Sequence, residues 1–354
     1  LHGSWRKPVA AKHGMVVSAE SLATLAGVDV LKRGGNAVDA AVAVGFTLAV
    51  TFPEAGNIGG GGFMLIRLAD GKSTMVDFRE KAPSSATRTM YLDSSGNFIS
   101  KKSEYGALAA GVPGSVAGLL HALEKYGTMK RGAVMARAIE IAERGFRLSE
   151  RQAEGFRSSL ADFSAFIPSL NAFSNRGTPY NEGDVFRQGD LAKTLKVIRA
   201  KGRDGFYKGD IADRIIAEMQ RNGGIISKED LEIYSPIERV PLYGTYRGYD
   251  VITASPPSAG GVVLLQMLNM LERFDLKSKG HNSSRTVHLF AAAAQRAYAD
   301  RSEYLGDPDF VNVPVEWLTS KNYAWVRGGG IDSTKAVASS FISAGIPSNP
   351  EKSG

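Results

Sequence analysis

The sequence predicts a layered fold of mixed helices and strands, either α/β or α+β. Two segments rich in β-forming residues, Phe63–Ala69 and Ser73–Phe78, flank Asp70-Gly71, which is a hairpin signal. Asn36 precedes a run made almost entirely of Ala, Val and Gly that ends at Pro53, as a buried helix would. Residues 262–274 and 286–304 have the apolar spacing of further helices.

Composition and charge exclude several classes of function. The chain has 354 residues, of which 43% are hydrophobic and 22% charged, as is ordinary for a globular protein. The net charge is +7, but the basic residues are scattered, and we expect no nucleic-acid partner. The absence of cysteine excludes disulfides, thiolate zinc sites and a cysteine nucleophile. No apolar run approaches 18 residues, which predicts no membrane span.

The remaining elements follow from helix caps and breakers. Ser18 is a candidate N-cap for a helix over 19–33, and Asn36 for the buried helix that follows. Patterns predict helices near 117–126, 133–144, 191–201 and 209–222, and one or two strands in 243–255. Periodicity is lost after Trp325. We therefore expect an N-terminal extension (1–13), one core domain (14–331) and a mobile tail (332–354).

The predicted hairpin carries the clearest binding signal. With Asp70-Gly71 as a two-residue loop, Arg79 falls opposite Gly62, beside the glycines of Gly59–Gly62. Glycines let backbone N–H groups approach a ligand closely, and a guanidinium fits a carboxylate or phosphate with two hydrogen bonds. The pattern predicts a pocket for a small anionic group. A bulged hairpin with a structural ion pair is the alternative.

Other constellations favour structural roles. The segment SPPSAGG at 255–261 lacks the G-x-S-x-G pattern of a nucleophile elbow, which favours a turn. Gly59–Gly62 precedes a strand and opens no helix, unlike a nucleotide-binding loop. An acidic cluster has Arg296 and Arg301 nearby, which favours ion pairs over a metal site; it comprises Asp300, Glu303, Asp307 and Asp309. The five histidines show no ligand or base spacing. No nucleophile–base pair is visible, and we expect neither metal nor cofactor.

Five segments carry a family resemblance in chain order: GMVVSAESLATLAGVDVLKRGGNAVDAAVA, AGNIGGGGFMLIR to VDFREKAP, NGGIISKEDLEIY, YRGYDVITASPPSAGG and YADRSEYLGDPDF. Together they resemble the large subunit of bacterial γ-glutamyltranspeptidases, from Gly14 to about Pro314. The resemblance implies an α+β fold of the N-terminal nucleophile hydrolase type, a four-layer αββα sandwich completed by a separate small subunit. It also implies a precursor that cleaves itself after Gly354 and a periplasmic or secreted location.

The resemblance also implies the chemistry. The nucleophile would be the threonine that begins the small subunit, whose own amine can act as its base, and this would explain the missing nucleophile here. The enzyme would transfer the γ-glutamyl group of glutathione and similar amides to water or to amino acids and peptides. Arg79 matches the arginine that binds the substrate α-carboxylate, and Glu80 is a weaker candidate for orienting Arg79 or reaching the acceptor.

Two alternatives remain open. A glutaryl or cephalosporin acylase of the same fold would use Arg79 equally well, because both substrates end in a carboxylate. A non-catalytic anion-binding protein built on the hairpin would need no partner chain.

Overall fold

The computed structural model of the protein describes residues 9–347. The predicted cleavage site at Gly354 lies outside the described residues. The α-helices are α1 (Ser21–Lys32), α2 (Ala37–Thr51), α3 (Ser100–Glu104), α4 (Ser115–Tyr126), α5 (Arg131–Val134), α6 (Ala136–Arg144), α7 (Glu150–Ser158), α8 (Leu160–Ser164), α9 (Ile167–Phe173), α10 (Gly189–Lys201), α11 (Asp204–Tyr207), α12 (Gly209–Arg221), α13 (Lys228–Ile233), α14 (Ala259–Leu271), α15 (Leu276–Lys279), α16 (Ser284–Tyr304), α17 (Val315–Thr319) and α18 (Lys321–Gly329).

The strands are short and form small sheets. They are β1 (Phe63–Arg67), β2 (Ser73–Asp77), β3 (Phe146–Arg147), β4 (Val185–Phe186), β5 (Ile237–Arg239), β6 (Leu242–Tyr246) and β7 (Tyr249–Thr253), and 3₁₀ turns lie at Ala107–Ala109 and Ser339–Phe341. One sheet has the order β1-β2-β5, and β3-β4 and β6-β7 form two separate pairs. None of the helices that the structure describes is long and apolar enough to cross a bilayer.

The chain forms two compact units. The first comprises the residues up to Gly62 and Asp77–Ile237, and the second comprises Phe63–Val76 and the residues from Glu238 onward. The predicted boundaries, after residues 13 and 331, do not coincide with the boundaries of these units. The division into extension, core and tail stays a prediction.

The core of the first unit is organised around α2. Asn36 caps this helix as predicted: its side chain accepts from the backbone N–H groups of Val38 and Asp39, and Asp39 accepts from Asn36 N in return. Most of the helix is buried, including Phe46 at 0% exposure, because its small side chains allow neighbouring helices to approach closely. The cap predicted at Ser18 is wrong. Glu20 caps α1 by accepting from Ala23 N, and the Ser18 hydroxyl bonds to Thr24 instead.

The core of the second unit lies between α14 and α16, where Leu271, Leu289 and Ala293 are each fully buried. The hairpin of β6 and β7 supplies its neighbouring strands, and Tyr246 pairs with Tyr249 at the turn. Arg247 and Gly248 both have positive φ, 50° and 86°, as a type I′ turn requires. The predicted strands of 243–255 are thereby confirmed as one two-stranded pair.

Candidate substrate-binding site

The hairpin register differs by one residue from the sequence-based prediction. Leu68 N donates to Lys72 O at 2.8 Å, and Gly71, with φ 87°, closes a loop of three residues instead of two. Asp70 has no positive φ, and its Oδ1 accepts from Lys72 N at 3.0 Å, which favours the longer loop. The prediction that Arg79 lies opposite Gly62 is therefore wrong.

Phe78 takes the position predicted for Arg79. It exchanges two backbone hydrogen bonds with Gly62, at 2.9 and 3.2 Å, and its side chain is buried. A shift of one residue reverses the face on which each side chain of a strand lies. Arg79 is the first residue beyond the paired ladder, and its side chain is exposed.

Glycines hold the backbone of the segment Asp77–Glu80, called here the DFRE segment. A Cβ on Gly61 would lie 2.5 Å from Phe78 O and 2.7 Å from Glu80 N, and a Cβ on Gly114 would lie 2.0 Å from Phe78 O. Two of the predicted pocket glycines, Gly61 and Gly62, thus pack against the DFRE segment, and their backbones are not open to a ligand from that side. Nothing lies within 4 Å of a Cβ on Gly59, which remains exposed.

The backbone of Arg79 is held on both sides, whereas its side chain is not held. Arg79 N donates to Asp77 Oδ1 at 3.1 Å, and Arg79 O accepts from the Tyr234 hydroxyl at 2.8 Å. Among the described residues, no hydrogen bond or ion pair of the Arg79 guanidinium is present. A fixed backbone with a guanidinium that is unpaired within this part of the chain suits an arginine that binds a ligand from solvent, and residues 9–347 provide no structural ion pair for it.

Glu80 is exposed, and its side chain is not paired with that of Arg79 among the described residues. Within residues 9–347, its carboxylate forms no ion pair or hydrogen bond with the Arg79 guanidinium. The base of its side chain is closely packed, because a Cβ on Gly111 would lie 3.0 Å from Glu80 Cβ. Within residues 9–347 the Glu80 carboxylate is therefore not paired with the Arg79 guanidinium, and the hydrogen bonds of Arg79 are those of its backbone with Asp77 and Tyr234.

Tyr234 was not singled out as a site residue from the sequence. It lies at the end of the motif NGGIISKEDLEIY, just after α13, and is 2% exposed. Burial raises the pKa of its hydroxyl, and the charges of Asp77 and Glu80 raise it further, which keeps the hydroxyl protonated as a donor. An aromatic residue that ends a strongly capped helix was the only signal of this role in the sequence.

Asp230 joins the chain after the DFRE segment to α13. Its carboxylate accepts from Ser227 N at 2.8 Å, in the capping box of α13, and from Ser84 N at 2.9 Å. Although burial alone would raise the pKa of Asp230, these hydrogen bonds outweigh it and lower the pKa. The carboxylate thereby joins the start of α13, the helix that Tyr234 follows, to the chain just after the DFRE segment.

The acidic cluster does not assemble into one site. Asp300 is fully buried and accepts from Gln266, Tyr323, Arg327 and the backbone N of Gly345. Asp309 pairs with Arg239 at 2.7 Å, and Glu303 is exposed. The ion pairs involve Arg327 and Arg239, not the predicted Arg296 and Arg301. No group of three potential metal ligands occurs within the described residues.

The serine segment forms a turn, with Ser258 N donating to Ser255 O at 3.2 Å. The Ser255 hydroxyl is buried and has no hydrogen-bond partner among the described residues, so no histidine in this part of the chain is hydrogen-bonded to it. Of the histidines, His288 contacts the backbone O of Asp332 at 2.7 Å. The described residues therefore contain no nucleophile–base pair at either place.

Comparisons with known proteins identify the family. The family model described as gamma-glutamyltranspeptidase matches residues 23–353. The chain belongs to this family. It is 49% identical over 348 residues to a glutathione hydrolase proenzyme of Pseudomonas sp. (strain A14), covering 98% of this chain and 60% of the relative. It is 51% identical over 339 residues to the glutathione hydrolase proenzyme of Escherichia coli (strain K12), covering 96% of this chain and 58% of the relative.

Solved structures agree with this assignment. The γ-glutamyltranspeptidase of Helicobacter pylori superposes with a TM-score of 0.95 at 48% identity, covering 98% of this chain and 100% of that one. A cephalosporin acylase from Bacillus halodurans superposes with a TM-score of 0.85 at 31% identity, and the match covers 94% of this chain and 62% of the acylase. The predicted α+β fold of the N-terminal nucleophile hydrolase type is confirmed. The chain spans about three fifths of the length of the two proenzymes.

Proposed function

We propose that this chain is the large subunit of a γ-glutamyltransferase and glutathione hydrolase. Family membership and the two proenzyme relatives support the reaction class. The observation that carries the site is the exposed Arg79, which has a fixed backbone and a guanidinium that forms no hydrogen bond or ion pair with residues 9–347. The partner would be the small subunit of the same precursor, bound tightly as a heterodimer.

Arg79 would bind the α-carboxylate of the γ-glutamyl substrate. A bidentate, charge-assisted pair fixes both the position and the plane of a carboxylate. Holding this end of the substrate places the γ-carbonyl, a fixed number of bonds away, at the nucleophile of the partner chain. Glu80, exposed beside Arg79, is proposed as a contact for the acceptor amine.

The chemistry would take place on the small subunit. The hydroxyl oxygen of its N-terminal threonine attacks the γ-carbonyl carbon, the C–N bond breaks, and the amine leaves with a proton. Water or the amine of an acceptor then attacks the resulting γ-glutamyl ester, and the threonine hydroxyl is regenerated. No described residue of this chain is assigned to these steps.

Replacement of Arg79 tests the proposal in the assembled enzyme. Arg79→Ala should lower kcat/KM for γ-glutamyl-p-nitroanilide by roughly 30- to 5,000-fold, since the substrate and the small subunit would bury the exposed guanidinium, and removing one partner of a buried charge pair costs about 2–5 kcal/mol. Arg79→Lys should recover only part of this loss, because lysine lacks the planar fork.

Arg88→Ala is the matched control for this experiment. Arg88 is also exposed and, among the described residues, forms no hydrogen bond or ion pair. Its replacement should leave kcat/KM within about a factor of two. An unchanged kcat/KM in Arg79→Ala would remove the basis of the assigned role.

The polypeptide that copurifies with this chain tests the proposed assembly. Purification of the full-length precursor should yield two chains, with the second beginning in threonine. Intact mass spectrometry and N-terminal sequencing measure both termini. A lone polypeptide without a threonine-initiated partner would favour the anion-binding alternative. The proposed periplasmic or secreted location is tested by fractionation of cells that express the precursor.

A β-lactam side-chain acylase is the second candidate. Acylase ACY 1 proenzyme of Pseudomonas sp. (strain SE83) is 39% identical over 338 residues, which is lower than the two glutathione hydrolases. Glutaryl-p-nitroanilide keeps the terminal carboxylate of the γ-glutamyl substrate and lacks its amino group. A kcat/KM that is higher for the glutaryl compound than for γ-glutamyl-p-nitroanilide would favour the acylase.

A further inference from the structure

The position of the exposed Arg79 guanidinium depends on how the Arg79 backbone is held. The side chain has four rotatable bonds and no observed partner among the described residues, so the structure fixes only the direction of its Cα–Cβ bond, through the two peptide groups that flank it. The preceding N–H is fixed by Asp77, and the following carbonyl by the Tyr234 hydroxyl at 2.8 Å. Asp77 is two residues away in the chain, whereas Tyr234 is 155 residues away.

Tyr234 is itself in contact with other residues at its ring and at its backbone carbonyl. Its ring stacks on Tyr207 with centroids 5.8 Å apart and an interplanar angle of 6°. The Arg203 guanidinium donates to Tyr234 O at 2.5 Å and to Glu232 O at 2.7 Å, and it lies 4.7 Å from the centre of the Tyr207 ring.

The support of Tyr207 continues to the start of α4. The Tyr207 hydroxyl donates to Pro113 O at 2.8 Å and accepts from Ala117 N at 3.3 Å. Gly114, the residue after Pro113, has to be a glycine here, because a Cβ there would lie 2.1 Å from the Tyr234 hydroxyl oxygen. The Tyr234 hydroxyl is therefore closely packed where it donates to the Arg79 carbonyl.

We propose that Tyr234 is a positioning residue that orients Arg79 for the substrate carboxylate. The inference rests on the proposed function of Arg79. Tyr234 touches no substrate; its hydroxyl fixes the Arg79 peptide group, and the peptide group sets the direction in which the guanidinium leaves the backbone. Loss of the hydroxyl loosens recognition of the α-carboxylate, while the remainder of the active site is unchanged.

Tyr234→Phe in the assembled enzyme tests the proposal, because it removes one oxygen atom and keeps the stacked ring. Loss of a neutral hydrogen bond predicts a kcat/KM for γ-glutamyl-p-nitroanilide that is lower by roughly 2- to 12-fold. The change should appear mainly in KM, because the α-carboxylate is bound in both the ground state and the transition state. A decrease confined to kcat would overturn the inference.

A substrate without the carboxylate separates positioning from a general structural effect. 4-Aminobutyryl-p-nitroanilide is the γ-glutamyl compound without its α-carboxylate. Tyr234→Phe should leave kcat/KM for this compound within a factor of about two, since Arg79 has nothing to bind. An equal loss with both compounds would show a structural role alone and overturn the proposal.

A double-mutant cycle gives an independent test. In the Arg79→Ala background, adding Tyr234→Phe should have no further effect on either compound, because residues that act as a unit are not additive. Additive losses would show that Tyr234 does not act through Arg79, with the role of Arg79 intact. If Arg79→Ala itself has no effect, the proposed function fails instead, and the two failures are distinguishable.

Two further variants complete the design. Tyr304→Phe also removes a hydroxyl that donates to a backbone carbonyl, that of Gly345 at 2.6 Å in the second unit, and it should not change KM. Arg203→Lys keeps the charge and removes the fork that holds Tyr234 O. It should raise KM for the γ-glutamyl compound selectively, which tests the proposal even if Tyr234→Phe fails to assemble; an unselective change would contradict it.

Discussion

Gly118 and Phe78 are packed so closely that a Cβ on Gly118 would lie 2.0 Å from Cγ of the Phe78 ring. Gly118 lies in the first turns of α4, and Phe78 immediately precedes Arg79. The helix therefore lies directly against the residue that anchors the DFRE segment. Because the neighbouring atoms belong to a buried ring, they cannot move aside as an exposed side chain could.

Gly118→Ala should destabilise the enzyme through this contact. Overpacking in a buried site costs about 1–3 kcal/mol, which lowers the apparent Tm by several degrees. Gly132→Ala is the control, since nothing lies within 4 Å of a Cβ at this helical position. Thermal unfolding of both variants at one scan rate measures the difference. Equal Tm values for the two variants would contradict the predicted contact.

Asp39 should make the free energy of unfolding depend on pH in the acidic range. Burial by itself raises the pKa of Asp39, but hydrogen bonds from Asn36, Thr128 and Met129 outweigh it and lower the pKa. A carboxylate whose pKa is lower in the folded state stabilises the protein above its unfolded pKa, about 3.9. This stabilisation is lost as the pH falls through the folded pKa.

The comparison of wild type with Asp39→Asn measures this contribution. The difference in their unfolding free energies should be constant above about pH 5 and should narrow below about pH 4. Asp29→Asn, at an exposed position on α1, shows the effect of losing a charge alone. A difference that stays constant down to the lowest measurable pH would show that Asp39 is not responsible.

Asp300 should anchor both α18 and the segment that follows it. Its Oδ1 accepts from Arg327 at 2.9 Å and from Gly345 N at 2.8 Å, and its Oδ2 accepts from Tyr323 at 2.6 Å. Asp300→Ala leaves Arg327 without its carboxylate, and the expected loss of stability is about 3–5 kcal/mol.

Glu303→Ala is the control for Asp300, since Glu303 is exposed on the same helix. Hydrogen exchange adds a local measurement: the Gly345 amide should exchange faster in Asp300→Ala than in Glu303→Ala. If the two variants unfold at the same temperature and Gly345 stays protected, the anchoring role is wrong.

Glu80 should affect the acceptor more than the donor. Because its carboxylate forms no ion pair with Arg79 among the described residues, Glu80→Gln should leave KM for γ-glutamyl-p-nitroanilide in hydrolysis within a factor of about two. Transfer to glycylglycine should show a raised acceptor KM, because a carboxylate no longer faces the acceptor amine. A rise in the donor KM comparable to that of Arg79→Ala would instead make Glu80 part of carboxylate recognition.

Local patterns predicted the parts of the fold that depend on neighbouring residues. The cap at Asn36, the burial of α2 and the helix ending at Arg144 all follow from caps, breakers and apolar spacing within a few residues. The cap at Ser18 failed because Glu20, two residues later, competes for the same helix end. Such competition is decided by small energy differences that a pattern of residue types does not contain.

The hairpin at the candidate substrate-binding site shows the same limit of prediction from sequence patterns. Asp70-Gly71 correctly indicated the reversal, but the turn residues fit both a two-residue and a three-residue loop. The left-handed Gly71 selects the longer loop, and the register moves by one residue. A change this small places Phe78 in the ladder and Arg79 beyond it.

The sequence by itself determined the family, because its short motifs can be read along the chain, and the same motifs predicted Arg79 as a substrate-binding residue. Only the tertiary structure showed that Tyr234 holds the Arg79 carbonyl and that Arg327 and Gly345 meet at Asp300. These contacts join residues far apart in the chain, and they form only when buried side chains from separate elements pack together. Neither local propensity nor residue spacing carries that information.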